Sequence, residues 1–222
     1  MTRVLGVDAC PGGWVAVALE DGVFAEARFG ARFRDLVGDN ATVIGVDIPL
    51  GSNGAGRAAD REARRLLGRR GASVFDAPPG DVLDAPDHAT ANRRCRDRYG
   101  RGLSVQAWNL VPKMLEVEPS WHDEPDRIFE VHPELSFTTM GGAPVEHSKR
   151  TWAGQRARVG LLATIGIRVP NDLGAAGAAG PDDVLDAAAV AWSAARIAAG
   201  EHRCVPDPPE RDAANRPIAI WS

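Results

Sequence analysis

Three apolar runs open the chain, Arg3–Val7, Trp14–Leu19 and Val23–Phe29, divided by Cys-Pro-Gly-Gly and by Glu-Asp-Gly. Short valine-rich runs bounded by such turn formers predict an antiparallel β meander. A short helical stretch around Phe33–Val37 follows, and Thr42–Val46 then supplies a fourth run that ends at Asp47-Ile-Pro-Leu-Gly51. A strand reached through a helix is expected to lie parallel to the first. The first and fourth runs are near copies, Val4-Leu-Gly-Val-Asp8 and Val43-Ile-Gly-Val-Asp47. Their unbroken apolar character predicts central strands buried on both faces. If the two strands pair, Asp8 and Asp47 emerge side by side at their carboxyl ends, where open α/β sheets place ligands.

From Gly51 to about Trp121 the pattern turns helical and more polar, which reads as an insertion (residues 51–121) in a single domain spanning 1–222. Arg57, Arg61, Arg64 and Arg65 fall at i, i+4, i+7 and i+8 on one helical face. This basic stripe either faces phosphates or is a solvated row offset by Asp60 and Glu62. A Pro-, Gly- and Asp-rich loop, Phe75–Pro86, precedes a basic helix near Ala89–Tyr99 and an amphipathic one near Val105–Leu115. Arg127-Ile-Phe-Glu-Val-His-Pro then predicts a short strand stopped by Pro133, with Glu130 close to its end. Thr151–Gly166 reads as a helix. Gly180-Pro181-Asp182-Asp183 is a helix start, with Pro and acids in the first turn, and an Ala-rich helix runs from there toward Ala199. The Pro- and charge-rich tail closes on a run suited to an edge strand, Pro217-Ile-Ala-Ile-Trp-Ser222.

At 222 residues and 44% hydrophobic content, the chain has enough apolar mass for one substantial core. A net charge of −4 and a pI near 5.7 exclude the strongly basic surface of a non-specific nucleic-acid coat. Any polyanion site must be local or metal-assisted. Cys10, Cys95 and Cys204 form no C-x-x-C pair, so neither a disulfide framework nor a zinc knuckle is indicated. No basic n-region or long apolar h-region opens the chain, and the apolar stretch Ala187–Ala199 is interrupted by Arg196 and too short to cross a bilayer. A soluble cytoplasmic protein with no membrane partner is expected.

The chemistry lies in five acids: Asp8, Asp47, Glu130, Asp183 and Asp186. Mg²⁺ takes oxygen ligands in octahedral geometry and keeps several waters, so a few carboxylates on rigid elements suffice to hold it. Two such ions about 3.5–4 Å apart can activate a water and steady the leaving oxygen of a phosphodiester. Each acid also has a plainer role open to it. Asp8 and Asp47 could be turn formers, and Asp182 and Asp183 helix-capping acids. Asp186 lies inside the helix among Leu185 and Ala187–Ala189, where an acid facing the apolar side is costly without a partner. Glu130 lies between apolar strand residues and asks for a cation. His132 and Glu134 follow it as candidates for supporting roles.

These residues resemble a known family, the bacterial and archaeal proteins grouped as domain of unknown function 429. Its marks are Gly6-Val-Asp8 with Gly12-Gly13-Trp14, Asp47-Ile-Pro-Leu-Gly51, Arg57-x-x-Asp60-x-Glu62-x-Arg64 with Leu67-Gly68, Ser73-Val-Phe75, Glu130-Val-His-Pro-Glu134-Leu-Ser-Phe137 and Asp182-Asp-x-x-Asp186-Ala. The resemblance covers almost the whole chain. It implies a ribonuclease H-like α/β fold: a mixed five-stranded sheet, antiparallel meander plus parallel strands, flanked by helices. The ending Asp183-x-x-Asp186-Ala also resembles the acidic C-terminal helix of RuvC-type Holliday-junction resolvases. By that likeness Asp8, Glu130, Asp183 and Asp186 would bind Mg²⁺ or Mn²⁺, while Asp47, which has no counterpart there, would orient water. Arg61, Arg64, Lys149 and Arg156 match positions suited to phosphate contacts, unless they are solvated or paired with the acids. The expectation is a metal-dependent nuclease acting on nucleic acid. The alternatives are a non-catalytic interaction module and an actin-like-superfamily phosphotransferase, which normally needs two such domains to clasp a nucleotide.

Overall fold

The computed structural model describes residues 1–38, 40–54 and 56–222. The meander forms as β1 (Arg3–Cys10), β2 (Gly13–Glu20) and β3 (Val23–Gly30). Asp21 and Gly22 both take positive φ, 47° and 81°, as the two-residue hairpin turn between β2 and β3 requires. The chain then passes through α1 (Arg34–Val37) into β4 (Val43–Val46), and later returns in β5 (Ile128–Glu130). The sheet order is β3-β2-β1-β4-β5, antiparallel across the first three strands and parallel across the last three. Seven helices among the described residues accompany this mixed five-stranded sheet, an α/β arrangement consistent with the ribonuclease H-like fold.

Between β4 and β5 lie α2 (Ala58–Leu67), α3 (His88–Tyr99) and α4 (Val105–Asp123). α4 runs eight residues past Leu115 despite Pro112 and Pro119, because Met114, Val117 and Trp121 are buried on one face against Leu5, Val7, Ile44, Val46 and Ile128. Burial of that stripe outweighs the local cost of proline. The other face of the sheet is covered by α5 (Pro133–Gly141), α6 (Trp152–Thr164) and α7 (Pro181–Ala199). The sequence pattern predicts a strand stopped by Pro133 and no element in the residues that directly follow it. They form a helix instead, with Pro133 at its first positions and Glu134 in its first turn, both favourable at a helix start. The tail makes a second sheet of two strands, β6 (Cys204–Arg211) and β7 (Pro217–Trp221), and a single parallel bridge joins Trp221 to Val131.

Two glycines set the depth of α7. Gly6 and Gly45 are register partners in the parallel pair β1–β4. A Cβ on Gly6 would stand 2.1 Å from the Ala191 nitrogen and 2.2 Å from the Ala187 oxygen, and one on Gly45 would stand 2.7 Å from Val190 Cγ1. The alanines of α7 therefore lie directly on strand backbone, an approach that no larger side chain permits. Strand side chains alternate faces, so Asp8 and Asp47, each two residues past its glycine, project toward the same α7 face.

Candidate metal centre

Asp8 near the end of β1, Asp47 just beyond β4 and Asp186 in the second turn of α7 meet at the carboxyl ends of the parallel strands. Each offers a carboxylate oxygen, and the three oxygens lie within 4.8 Å of one another. Asp8 and Asp186 are buried. The backbone N–H of Asp47 donates to the Val7 carbonyl at 3.0 Å, extending the β1–β4 ladder to the point where the side chains diverge from it.

Crowded, buried acids resist ionisation. Burial, then the charges of Asp47 and Asp186, push the Asp8 carboxyl well above the ordinary range. Burial likewise raises Asp47 to about 7, opposed by Lys149 and reinforced by Glu134 and Asp183. It also raises Asp186 to about 7 against the pull of Lys149. Lys149 arrives on the segment between α5 and α6 and donates a hydrogen bond to Asp186. Burial works against its charge, but Asp186, Asp8 and Asp47 outweigh that and hold the ammonium charged. One ammonium thus faces three carboxylates. The donor set is hard oxygen only, of the kind that suits Mg²⁺ or Mn²⁺, so the cluster could hold a divalent cation.

Two acids of the expected set stand outside the close trio, although Glu130 lines the same cavity. Glu130 is the register partner of Val46, and both face the α4 side of the sheet, opposite to Asp8 and Asp47. There its two oxygens accept from Arg57 at 2.6 and 2.7 Å, and Oε2 also accepts from the Leu50 N–H at 2.7 Å. Arg57 is itself buried and donates to Asp60 and to the Leu50 carbonyl. The expectation that Glu130 meets the aspartates is therefore corrected: one step of strand alternation turns it to the other face, where its cation is a guanidinium. Asp183 sits in the first turn of α7, half-buried and outside the close trio, although its charge reaches Asp8 and Asp47.

The basic stripe divides. Arg57 points inward to Glu130, Arg64 donates to the Val74 carbonyl at 2.9 Å and pairs with Asp76 at 2.8 Å, and Arg61 is exposed and bonded to the Gly56 carbonyl. Of the expected phosphate contacts, only Lys149 lines the cavity over the aspartates; Arg156 is exposed on α6. Pattern reading missed Arg150, which lines the cavity beside Lys149 and is exposed. The cavity measures about 380 Å³, with apolar walls from Ile48, Pro49, Val74, Phe75 and Ile220. His132 also lines it, with burial holding its imidazole below the ordinary range and Nδ1 buried without a partner. Glu134 is buried at the same wall, where one oxygen accepts from Arg158 and Arg70 at 2.5 and 3.1 Å and the other has no partner.

Compared with known families, residues 6–211 match the one described as "Protein of unknown function (DUF429)". The chain belongs to the DUF429 family. No curated protein and no solved structure matches it. In this DUF429 protein the matched span takes in all three aspartates, Lys149 and the cavity wall from Ser73 to Glu134. No helix among the described residues is long and apolar enough to cross a membrane.

Proposed function

We propose that this chain is a divalent-metal-dependent phosphodiesterase acting on nucleic acid, with Asp8, Asp47 and Asp186 as the metal-holding set. The observation that carries the reading is the close approach of three carboxylate oxygens, all within 4.8 Å, at the floor of a cavity that opens outward. A purely structural ion site would be closed, whereas a catalytic one leaves room for substrate. A divalent cation bound there supplies Lewis acidity toward a phosphoryl oxygen and local positive charge. The chain's own residues do the rest. Lys149 and Arg150 offer donors to non-bridging phosphate oxygens, and the apolar wall of Ile48, Val74 and Phe75 limits water around the reacting phosphate. Glu130 acts at a distance: with Arg57 and the Leu50 N–H it fixes the turn that follows Asp47. Asp183 adds negative potential from the first turn of α7.

Purified protein is assayed on labelled single- and double-stranded DNA and RNA, with Mn²⁺ and with chelator. Cleavage is expected only with metal, and Asp8→Asn should abolish both cleavage and Mn²⁺-induced thermal stabilisation while leaving a folded protein. Unchanged cleavage by Asp8→Asn removes the cluster from the chemistry.

One observation favours a second reading. Lys149 already pairs with Asp186, so part of the cluster's charge is satisfied without metal, as a non-catalytic scaffold would need. A scaffold predicts no stabilisation by Mn²⁺ at any concentration, because nothing in it binds the ion preferentially in the native state.

A further inference from the structure

The segment that brings Lys149 and Arg150 to the cavity runs straight into α6, whose first residue is Trp152. That indole is 77% exposed. The helix start does not need it, since Thr151 supplies the cap by accepting from the Gly154 N–H at 3.1 Å. The Arg156 guanidinium stands over the ring, 5.8 Å from its centre. Beside Trp152 opens a groove of about 540 Å³ between α6, the segment after it and the first turns of α7. Its floor is apolar, with Leu162, Ile167, Val184 and Leu185, and its rim carries Arg156 and Arg168.

Charge separates this groove from an ordinary apolar depression. Among the described residues no acid lines it, and Arg150, Arg156 and Arg168 are all exposed with no ion pair. The chain as a whole carries −4, so a groove lined by arginines and by no acid is a local feature to which an anionic partner would be complementary. It also lies close to the aspartate cavity along the chain. Arg150 lines the cavity and Trp152 the groove, and two residues span at most about 7 Å. On the other side Leu185 floors the groove while its neighbour Asp186 holds the cluster.

We infer that the groove binds single-stranded nucleic acid next to the scissile phosphate, with a base stacked on Trp152 and backbone phosphates on Arg150, Arg156 and Arg168. This rests on the nucleic-acid reading of the metal site and assigns where the strand runs. Indole faces take any base, and flanking arginines add charge and cation–π attraction, so binding is tolerant of sequence and sensitive to salt.

The test uses fluorescein-labelled decathymidylate and the Asp8→Asn chain, which binds without cutting, with Trp152→Ala or Trp152→Phe added. The alanine variant should weaken decamer binding between about fivefold and a hundredfold, with phenylalanine restoring most of it. Arg156→Ala should lower the slope of log affinity against log salt by about 0.7. Equal decamer affinity with and without the indole overturns the proposal, and so does Trp152-dependent binding of anionic phosphatidylglycerol vesicles in place of the decamer. With Asp8 restored, Trp152→Ala should keep the full Mn²⁺-induced stabilisation. If Mn²⁺ stabilises the protein but no oligonucleotide binds, the groove assignment falls and the metal site stands. If Trp152-dependent binding persists without metal binding or cleavage, the hydrolytic reading falls and the groove stands.

Discussion

Glu130→Gln separates two roles that a buried acid in the cavity of the three aspartates can have. The substitution keeps the shape of the side chain, leaves one acceptor oxygen and sets an amide NH₂ against the Arg57 guanidinium. Arg57 is buried, and loss of the Glu130 charge leaves Asp60 as its only carboxylate partner among the described residues. The Leu50 N–H also loses a charged acceptor at 2.7 Å. Breaking one side of a buried, hydrogen-bonded ion pair costs about 3–5 kcal/mol. In a chain of this size 1 kcal/mol moves Tm by about 2–4 °C, so Tm should fall by about 6–20 °C. The increment in Tm that Mn²⁺ adds should persist, because Asp8, Asp47 and Asp186 are untouched. Differential scanning fluorimetry with chelator and with a Mn²⁺ series reads both quantities in one experiment. An unchanged chelated Tm together with a lost Mn²⁺ increment refutes the reasoning and makes Glu130 a ligand.

The metal-free protein should lose stability as pH rises. Asp47 and Asp186 titrate near 7 in the folded chain and near 3.8 when unfolded, so the native state holds protons that the unfolded state releases between those values. Their contribution is therefore most favourable at the acid end and is lost as pH passes about 7, a change on the order of a few kcal/mol. Urea midpoints of chelated protein should fall from about pH 5.5 to about pH 8, and Asp47→Asn should raise the midpoint at the higher pH; a midpoint that climbs over this range contradicts the assignment. Gly6→Ala should be severely destabilising, beyond the usual 1–3 kcal/mol of overpacking, because its Cβ would meet helix backbone at 2.1 Å rather than a side chain that can turn away. Gly160→Ala on exposed α6, where nothing lies within 4 Å, should be neutral or stabilising, and equal Tm changes in the two variants count against the close-packing account.

Where hydrophobic pattern and turn chemistry agree, the elements were legible in the residues. The meander, the parallel return of β4, α7 and the pairing of Asp8 with Asp47 all follow from runs of valine, Pro-Gly and Asp-Gly turns and the repeated Gly-Val-Asp motif. The cluster was harder to read in two respects. Asp47 repeats the motif of Asp8, but the likeness to resolvases, in which it has no counterpart, sets it apart from the expected ligands, whereas the structure brings it beside Asp8 and Asp186. Glu130 fits the acidic pattern in sequence, yet its face depends on the register of β5 against β4, which a three-residue strand does not reveal. β6 was missed because Pro206, Pro208 and Pro209 argue against a strand, and a two-stranded edge with an irregular register tolerates them. Arg150 carried no periodic signal, since its role comes from the path of a loop.

The two glycines and three aspartates amount to one arrangement with opposed energetic parts. Gly6 and Gly45 let α7 lie on the strands, and its Ala187, Val190 and Ala191 are fully buried there, a favourable contact of large area. The same depth carries Asp186 down to Asp8 and Asp47 and takes Asp8 and Asp186 out of water with Asp47 half-buried beside them, which is unfavourable for each as a charge. A helix seated a little higher would spare that cost, and an asparagine at any of the three positions would remove part of it outright. Lys149 offsets only one of three charges. Close packing that brings like charges together sacrifices stability at that point, and a perturbed cluster of this kind is what the proposed metal site would account for. A divalent cation held by the three aspartates would relieve that conflict, since it would supply positive charge where the helix placement leaves it unbalanced.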